Sequence, residues 1–263
     1  MADDRPLIFT PAYYQQLARL ERSHPWFTGT RRVAAALIPA LLGQPTGGLK
    51  ILDVGCGTGA TIEWLQRFAG RRPVAGIDLA PAAVHLARRT GGRIALASAD
   101  TLPFRAAAFD LIYCADVVQH LSDEERRQTL AEFRRVLRPG GAVIIRSNRA
   151  TGAPDGAAEG YQDFDHRRFP SDLTAAGLTP VYVGTIALLS GLAARRRQGA
   201  GGGWSSQGLA IQPLHGLGRL QGFVLTAGFR AEAAAFRLRG QLPTTLGASS
   251  IFAALKIVPF ERA

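Results

Sequence analysis

The chain has 263 residues, 47% of them hydrophobic, which is enough to bury one substantial core with a smaller lobe beside it. Its two cysteines exclude a disulfide framework and a Cys-x-x-Cys zinc site, so we expect metal-free chemistry in the cytoplasm. The net charge of +11 comes almost entirely from arginine. No RNA-binding module or basic-aromatic cluster accompanies that charge, which argues against nucleic acid as a substrate.

The first predicted elements are helices between Pro11 and Leu42, ahead of any strand. The residues before them are too polar for a signal peptide, and no apolar run reaches the roughly 18–20 residues of a membrane span. We therefore expect a soluble protein. An aromatic cluster lies between these helices and comprises Tyr13, Tyr14, Trp26 and Phe27.

An apolar strand, Ile51–Val54, then runs into three glycines at alternating positions, Gly55, Gly57 and Gly59, and a helix is predicted over Thr61–Ala69. Glycine permits positive φ angles and lets a ligand approach the main-chain N–H groups. The pattern predicts a loop that binds a nucleotide-type cofactor.

Asp53 distinguishes between two cofactor classes. The glycine spacing also satisfies the dinucleotide fingerprint of the Rossmann fold. A carboxylate at the mouth of the loop would repel a pyrophosphate, but it suits a ligand with an ammonium group. S-adenosylmethionine is such a ligand.

Acidic residues also close the next three predicted strands: Val74–Ile77 ends in Asp78, Ile94–Ala99 in Asp100 and Phe109–Ala115 in Asp116. The carboxyl ends of strands in an open α/β sheet converge on the ligand crevice. A single aspartate at such a place is commonly a helix cap or turn former. Four in succession favour a binding site.

The second half of the chain continues this alternation less legibly. Ser122 and Glu125 form a capping box, which predicts a helix that ends at the turn Arg138–Gly141. The remaining apolar runs predict three strands: Ala142–Ser147, Pro180–Leu189 and Ser250–Val258. A further helix is predicted around Leu214–Ala227, within a connection long enough to form a substrate cap.

Five motifs in this order resemble the class I S-adenosylmethionine-dependent methyltransferases, in the broad small-molecule group called type 11. They are LDVGCGTG at 52–59, GIDLAPAAV at 76–84, ADTLPF at 99–104, FDLIYCADVVQHL at 109–121 and FRRVLRPGG at 133–141. The resemblance implies an α/β, Rossmann-like, seven-stranded sheet with helices on both faces. Its strands would be mostly parallel and the last one antiparallel.

This resemblance implies one domain over residues 1–263. We divide it into an N-terminal helical lid (1–45), a cofactor-binding core (46–190), a cap insertion between strands 6 and 7 (191–248) and the last strand (249–263). No pattern in the sequence assigns an oligomeric state.

The resemblance also implies the cofactor contacts. Asp53 and the loop Gly55, Cys56, Gly57 and Gly59 would lie along the methionine and ribose, and Asp78 with Leu79 at the ribose hydroxyls. Asp100 would lie near the adenine amino group beside the backbone of Thr101 and Leu102, and Ala115 and Asp116 by the methionine. In the lid, Tyr14 and Arg31 would close over the cofactor, with Arg31 pairing with its carboxylate. Pro25 and Thr30 depart from the aromatic and arginine of similar enzymes, so this register is open by one residue.

Methyl transfer mainly requires alignment and exclusion of water, and a base is needed only when the acceptor is a hydroxyl. His120, after the fourth strand, and His166, after the fifth, are the candidate bases, although the residue at His120 supports the loop in many similar enzymes. The candidate acceptor contacts are Gln119, Asn148, Tyr161 and Trp26; a core role for Trp26 is equally open. His24, His85 and His215 are weaker candidates.

The sequence favours methyl transfer to a small molecule, with oxygen as the expected attacking atom. A first alternative is a lipid or lipid-linked acceptor, reached by peripheral membrane contact through Ile186–Leu189 and Arg195–Arg197. A second is a protein that binds S-adenosylmethionine without catalysis, and a third is a dehydrogenase.

Overall fold

The structure is a computed structural model that describes residues 10–43, 47–148, 162, 164–186, 226–234 and 249–257. Two helices come first, α1 (Pro11–Leu20) and α2 (Pro25–Leu42). Strands and helices then alternate: β1 (Ile51–Val54), α3 (Ala60–Ala69), β2 (Ala75–Asp78), α4 (Pro81–Ala87), β3 (Arg93–Leu96), β4 (Phe109–Ala115), α5 (Asp123–Val136), β5 (Leu137–Asn148), α6 (Phe169–Ala175), β6 (Thr179–Ile186), α7 (226–234) and β7 (Ser249–Leu255).

The seven strands form one sheet in the order β3-β2-β1-β4-β5-β7-β6. All neighbouring pairs are parallel except those of β7, which runs antiparallel to both β5 and β6. The predicted Rossmann-like sheet with an antiparallel last strand is confirmed. Because the order reverses between β1 and β4, their carboxyl ends open a crevice there.

Side chains alternate between two apolar layers along the central strands. Ala142 and Ile144 of β5 pack with α2, α3 and α7 on one face, whereas Val143 and Ile145 pack with α5 and α6 on the other. Helices therefore cover both faces, as predicted. α1 instead packs against α4, where Tyr14 contacts a small buried cluster.

Several element bounds differ from the sequence prediction, and those of β3, β5 and α5 have a clear physical reason. β3 ends at Leu96 instead of Ala99, because its partner β2 ends at Asp78, the residue paired with Leu96. β5 begins at Leu137 because Phe109 pairs with Leu137 before the Arg138–Gly141 turn. α5 begins with the predicted capping box and ends at Val136, directly before that strand.

The insertion is described only in part. Residues 187–225 and 235–248 lie outside the described residues, so most of the predicted cap and of the helix at 214–227 does as well. The described helix α7 begins at residue 226 and contributes Phe229 to the core, where its ring meets Trp26 at 6.0 Å between centroids. Trp26 is buried there, which is the core role that the sequence left open.

Candidate cofactor and acceptor site

The glycine loop between β1 and α3 has the backbone that only glycine adopts readily. Gly55, Gly57 and Gly59 have φ angles of 70°, 54° and 93°. A Cβ at Gly55 would meet a Val117 methyl at 2.2 Å, whereas one at Gly57 would meet only Leu17 at 3.9 Å. The middle of the loop is thus open on the side of α1, and its flanks are tightly packed.

Asp78, the last residue of β2, anchors this loop. One carboxylate oxygen accepts the Gly57 N–H at 2.9 Å and the other accepts the Ala80 N–H at 2.9 Å. Each oxygen keeps a further lone pair, which a ribose hydroxyl could use. The neighbouring Leu79 is 70% exposed, an apolar surface beside that carboxylate.

Asp53 is the most unusual group at the site. Its side chain is 2% exposed, and Oδ2 has no hydrogen-bond partner among the described residues. Burial raises its pKa well above the ordinary value, Asp78 and Glu21 raise it further, and Arg31 opposes them. A buried acidic oxygen without a donor fits an ammonium group, so the donor set suits S-adenosylmethionine.

Two residues of the N-terminal helical segment, Glu21 and Arg31, lie near Asp53 and affect its pKa. Arg31 of α2 is buried and donates to the Glu21 carbonyl oxygen at the end of α1. Burial lowers the pKa of Arg31, while Tyr113, Glu21 and Asp53 raise it. Arg22 ties this corner to α3 by hydrogen bonds of 3.0 and 2.8 Å to Glu63. The structure therefore brings Arg31 near Asp53, and its contact with the cofactor stays a prediction.

Tyr14 of α1 lies on the other side of the loop. It is buried, and its pKa is raised by burial first and by Asp78 second, which places the two side chains close together. Cys56, inside the loop, is also buried. Both residues thus adjoin the glycine loop, and their contacts with the cofactor stay a prediction.

On the predicted adenine side, the loop after β3 is held by α5. The Leu102 N–H donates to Glu132 at 2.7 Å, and Arg135 donates to the Leu102 carbonyl at 3.0 Å. Thr101 donates its hydroxyl to Asp100 at 3.3 Å. Since the Leu102 N–H already has a partner, Leu102 would contribute only apolar contacts to adenine binding. Asp100 is half-buried, and its carboxylate oxygens could accept hydrogen bonds from the adenine amino group.

Beyond β4, the buried Arg146 pairs with the partly exposed Asp116, an ion pair that sequence reasoning missed. Arg146 of β5 is 3% exposed and donates to Asp116, whose N–H in turn donates to the Arg146 carbonyl at 2.9 Å. Asp116 has a φ of 58°, uncommon for any residue other than glycine. The pair lies beside Ala115, at the predicted methionine end. A charged residue in the otherwise apolar run Ala142–Ser147 was the available sequence indication.

A second buried polar group follows β4. Gln119 is 2% exposed, and its amide oxygen accepts the Ser147 hydroxyl at 3.1 Å. Ser249, the first residue of β7, donates to the Ser147 carbonyl at 2.7 Å. Ser147 is therefore held by β7 while its hydroxyl holds the Gln119 amide. The Gln119 Nε2 has no partner among the described residues. It is a donor available to an acceptor molecule.

A backbone hydrogen bond joins the two segments that carry the candidate bases. His120 ends a 3-10 turn after β4, and the Gln162 N–H donates to the Gln119 carbonyl at 2.8 Å. His166 packs edge-on against Phe164 at 4.6 Å between centroids. His120 therefore lies just beyond the carboxyl end of β4, and His166 lies beside Phe164 in the segment before α6.

Two predicted acceptor contacts have no described side chain: Tyr161 lies outside the described residues, and Asn148 is described only as the end of β5. The weaker histidines have other surroundings. His24 caps α2 by accepting the Trp26 N–H at 3.2 Å, and His85 lies on α4 near Arg89. His215 lies outside the described residues.

Glu21 is expected to make the folding stability of the protein depend on pH. Burial raises its pKa from 4.5 to about 7, against the opposing effect of Arg31. The folded state therefore holds a proton that the unfolded chain has lost, so stability falls as pH rises from about 4.5 through 7. Glu21→Gln should remove this loss, making the variant more stable than the wild type at pH 8 by up to about 3 kcal/mol and similar at pH 5.

Urea unfolding at both pH values measures this difference. Glu124→Gln, on an exposed face of α5, is the control and should keep the wild-type pH dependence. A Glu21→Gln variant with the wild-type slope would contradict the assignment.

No helix among the described residues is both long and apolar enough to cross a membrane. The lipid alternative depended on Ile186–Leu189 and Arg195–Arg197, whose side chains lie outside the described part of the chain. Nothing in the described residues supports it.

Comparison with known proteins agrees with this geometry. Residues 52–145 match the family model described as a methyltransferase domain. A mouse protein named probable tRNA methyltransferase 9B is 32% identical over 126 residues, which are 48% of this chain and 27% of that protein. Malonyl-[acyl-carrier protein] O-methyltransferase of Serratia marcescens is 36% identical over 130 residues, 48% of this chain and 49% of that protein. The chain therefore spans half or less of these two curated relatives.

Among solved structures, the Haloferax volcanii complex of the Trm112 methyltransferase activator with a putative methyltransferase matches with a TM-score of 0.62 at 18% identity, over 97% of this chain and 99% of that one. At that identity the match supports the fold. Residues 52–145 therefore match a methyltransferase domain, and the fold of the described residues agrees with that match.

Proposed function

We propose that this protein transfers a methyl group from S-adenosylmethionine to an oxygen atom of a small-molecule acceptor bound beyond the carboxyl ends of β4 and β5. The observation that carries the proposal is Asp53, a buried acidic group with an unpartnered oxygen between the glycine loop and Arg31. A cofactor that bears both an ammonium and a carboxylate would pair with these two side chains.

S-adenosylmethionine, when bound, supplies a methyl group already activated by a sulfonium. The residues of this chain then need to bind the cofactor and the acceptor and to align them for the transfer. Asp53 and Arg31 would bind the amino-acid end, and Asp78 would accept from the ribose hydroxyls. The helices α1 and α2 cover the loop and exclude water, which favours in-line attack.

Oxygen as the attacking atom is supported by the Serratia relative, whose name specifies O-methyl transfer to a malonyl group. Gln119 would orient such an acceptor through Nε2, because Ser147 fixes the opposite side of its amide. Where the acceptor is a hydroxyl, His120 or His166 would take its proton.

A second candidate acceptor is RNA. The mouse relative is named a probable tRNA methyltransferase, and the net charge of +11 would favour association with a polyanion. This candidate contrasts with the sequence expectation that no nucleic acid binds. The same experiment separates the two.

The test incubates the protein with methyl-labelled S-adenosylmethionine and an extract of its source, then separates aqueous metabolites, lipids, RNA and protein. We expect label in the aqueous fraction, and its loss in Asp53→Asn. Label in RNA would establish the second candidate instead. Cofactor binding with no label in any fraction would favour the non-catalytic alternative.

Parallel reactions with His120→Ala and His166→Ala identify the base. For a hydroxyl acceptor, one of them should lose roughly 10²–10⁴-fold in rate, the range expected for a general base. Full activity in both, and in the double variant, would show that no histidine acts as the base.

A further inference from the structure

Arg146 is almost wholly buried, which is unusual for an arginine and calls for a physical explanation. Its neighbours along β5 belong to the apolar layers, and its side chain is 3% exposed. Replacement of a buried ion pair by apolar residues is often neutral or stabilising, so stability alone does not account for the Arg146–Asp116 pair.

The Asp116 pair leaves much of the guanidinium unused. Nη2 donates to Asp116, whereas Nε and Nη1 are buried and have no hydrogen-bond partner among the described residues. Tyr113, the next polar group on this face, lies close enough to raise the pKa of Arg146 together with Asp116, against the lowering effect of burial. Tyr113 also acts on Arg146 as a hydrogen-bond partner, and the N–H groups that it leaves unpaired would cost free energy, so a further acceptor is expected there.

The charges around Arg146 favour an anion. Arg31 lies near enough for the charge of Arg146 to lower its pKa, so two guanidinium groups lie in the same region of the protein. Asp116 pairs with Arg146, while Asp53 and Glu21 have raised pKa values that favour their neutral forms. One carboxylate, that of the cofactor, would pair with Arg31. Arg146 is already charge-paired with Asp116, so what it lacks is an acceptor for its remaining N–H groups, and an anionic oxygen would be the strongest one.

Backbone contacts fix the position of the Arg146–Asp116 pair. Asp116 takes the left-handed conformation directly after β4, and its N–H is bonded to the Arg146 carbonyl on the adjacent strand. Non-glycine residues in that region are strained and cluster at functional sites, and aspartate is among those that adopt it more often. The ion pair is thus fixed at the carboxyl ends of β4 and β5, where the acceptor would lie.

We infer that Arg146 recognises a carboxylate on the methyl acceptor, so that the substrates of this protein are carboxylic acids. This inference rests on the proposed function and specifies its substrate class. The planar fork of arginine matches a carboxylate, and a lysine at this position would supply the charge without the geometry.

The first test uses the wild-type protein. The extract is passed over an anion-exchange resin before the labelling reaction. The acceptor should be retained on the resin and recovered in the salt eluate, and malonate should compete with it while malonamide, its neutral counterpart, should not. A labelled acceptor in the flow-through, or equal effects of malonate and malonamide, would overturn the inference while leaving the proposed function intact.

The second test uses variants of Arg146. Arg146→Met should raise the KM for the eluted acceptor at least tenfold and leave the Kd for S-adenosylmethionine within about threefold of the wild-type value. Arg146→Lys should recover part of the loss. Arg138→Met is the matched control, because Arg138 also pairs with an aspartate, Asp110, at the opposite end of β4. It should leave both constants unchanged.

Binding without catalysis separates the two claims. Calorimetric titration of malonate into the protein saturated with S-adenosylhomocysteine should show binding that Arg146→Met abolishes and Arg138→Met preserves. Such binding in a protein that labels no fraction would retain the carboxylate site and reject the proposed function. Cofactor affinity that falls in Arg146→Met as much as the transfer rate does would assign Arg146 to the cofactor and overturn the inference.

Discussion

Asp53→Asn should weaken S-adenosylmethionine binding roughly 10²-fold, about 3 kcal/mol, because it removes one partner of a buried charge pair. Its folding stability should be maintained or increased at neutral pH. Burial already raises the pKa of Asp53 well above its ordinary value, so an uncharged side chain costs the ligand-free protein nothing. Calorimetric titration gives the affinity, and urea unfolding gives the stability.

Asp110→Asn is the matched control for this variant. Asp110 is as deeply buried and belongs to the neighbouring strand β4, but it lies at the amino end, where it accepts the Lys50 N–H at 2.8 Å and pairs with Arg138. It should lose stability and keep cofactor affinity, the reverse of Asp53→Asn. An Asp53→Asn protein that binds within threefold of the wild-type affinity would remove Asp53 from the site.

Asp53 also predicts proton release on binding. The ligand's ammonium group would restore the charged carboxylate, so affinity should rise with pH until Asp53 is already ionised in the free protein. Titrations in two buffers of different ionisation enthalpy measure the released proton. Equal apparent enthalpies in both buffers would contradict this linkage.

Asp78→Ala should weaken cofactor binding by about 1–3 kcal/mol, roughly 10- to 100-fold, through loss of charge-assisted hydrogen bonds to the ribose. It should also lower stability, because the N–H groups of Gly57 and Ala80 lose their acceptor. Glu124→Ala, which removes an exposed carboxylate on α5 whose partner Arg127 is also exposed, should change neither quantity appreciably.

A double-mutant cycle separates the two effects of Asp78. Wild type and Asp78→Ala are each titrated with S-adenosylhomocysteine and with its 2′-deoxy analogue. If Asp78 accepts from the ribose, removal of the hydroxyl should weaken the wild type and leave the variant nearly unaffected. Equal losses in both proteins would show that Asp78 acts only on the loop.

The parts of the site that sequence could predict are those in which the evidence is local. The glycine loop, Asp53 and Asp78 lie within or directly after short apolar strands, and parallel topology brings such ends together. The loop after β3 was placed correctly although the strand is shorter than predicted, because strand length depended on its partner β2.

The contacts that sequence could not predict join distant elements. Glu21 reaches the loop only because α1 and α2 fold back over it, and Arg146 finds Asp116 thirty residues away in the chain. The Ser147–Gln119 bond likewise depends on the pairing of β4 with β5. Side-chain burial decides these roles, and periodicity alone does not reveal which face of a central strand meets a ligand.

The central claim is that the loop between β1 and α3 binds S-adenosylmethionine. Calorimetric titration of the wild-type protein with S-adenosylmethionine and, separately, with NADH tests it most directly. We predict one molecule of S-adenosylmethionine bound per chain and no binding of NADH. Binding of NADH with none of S-adenosylmethionine would contradict the account and favour a dehydrogenase.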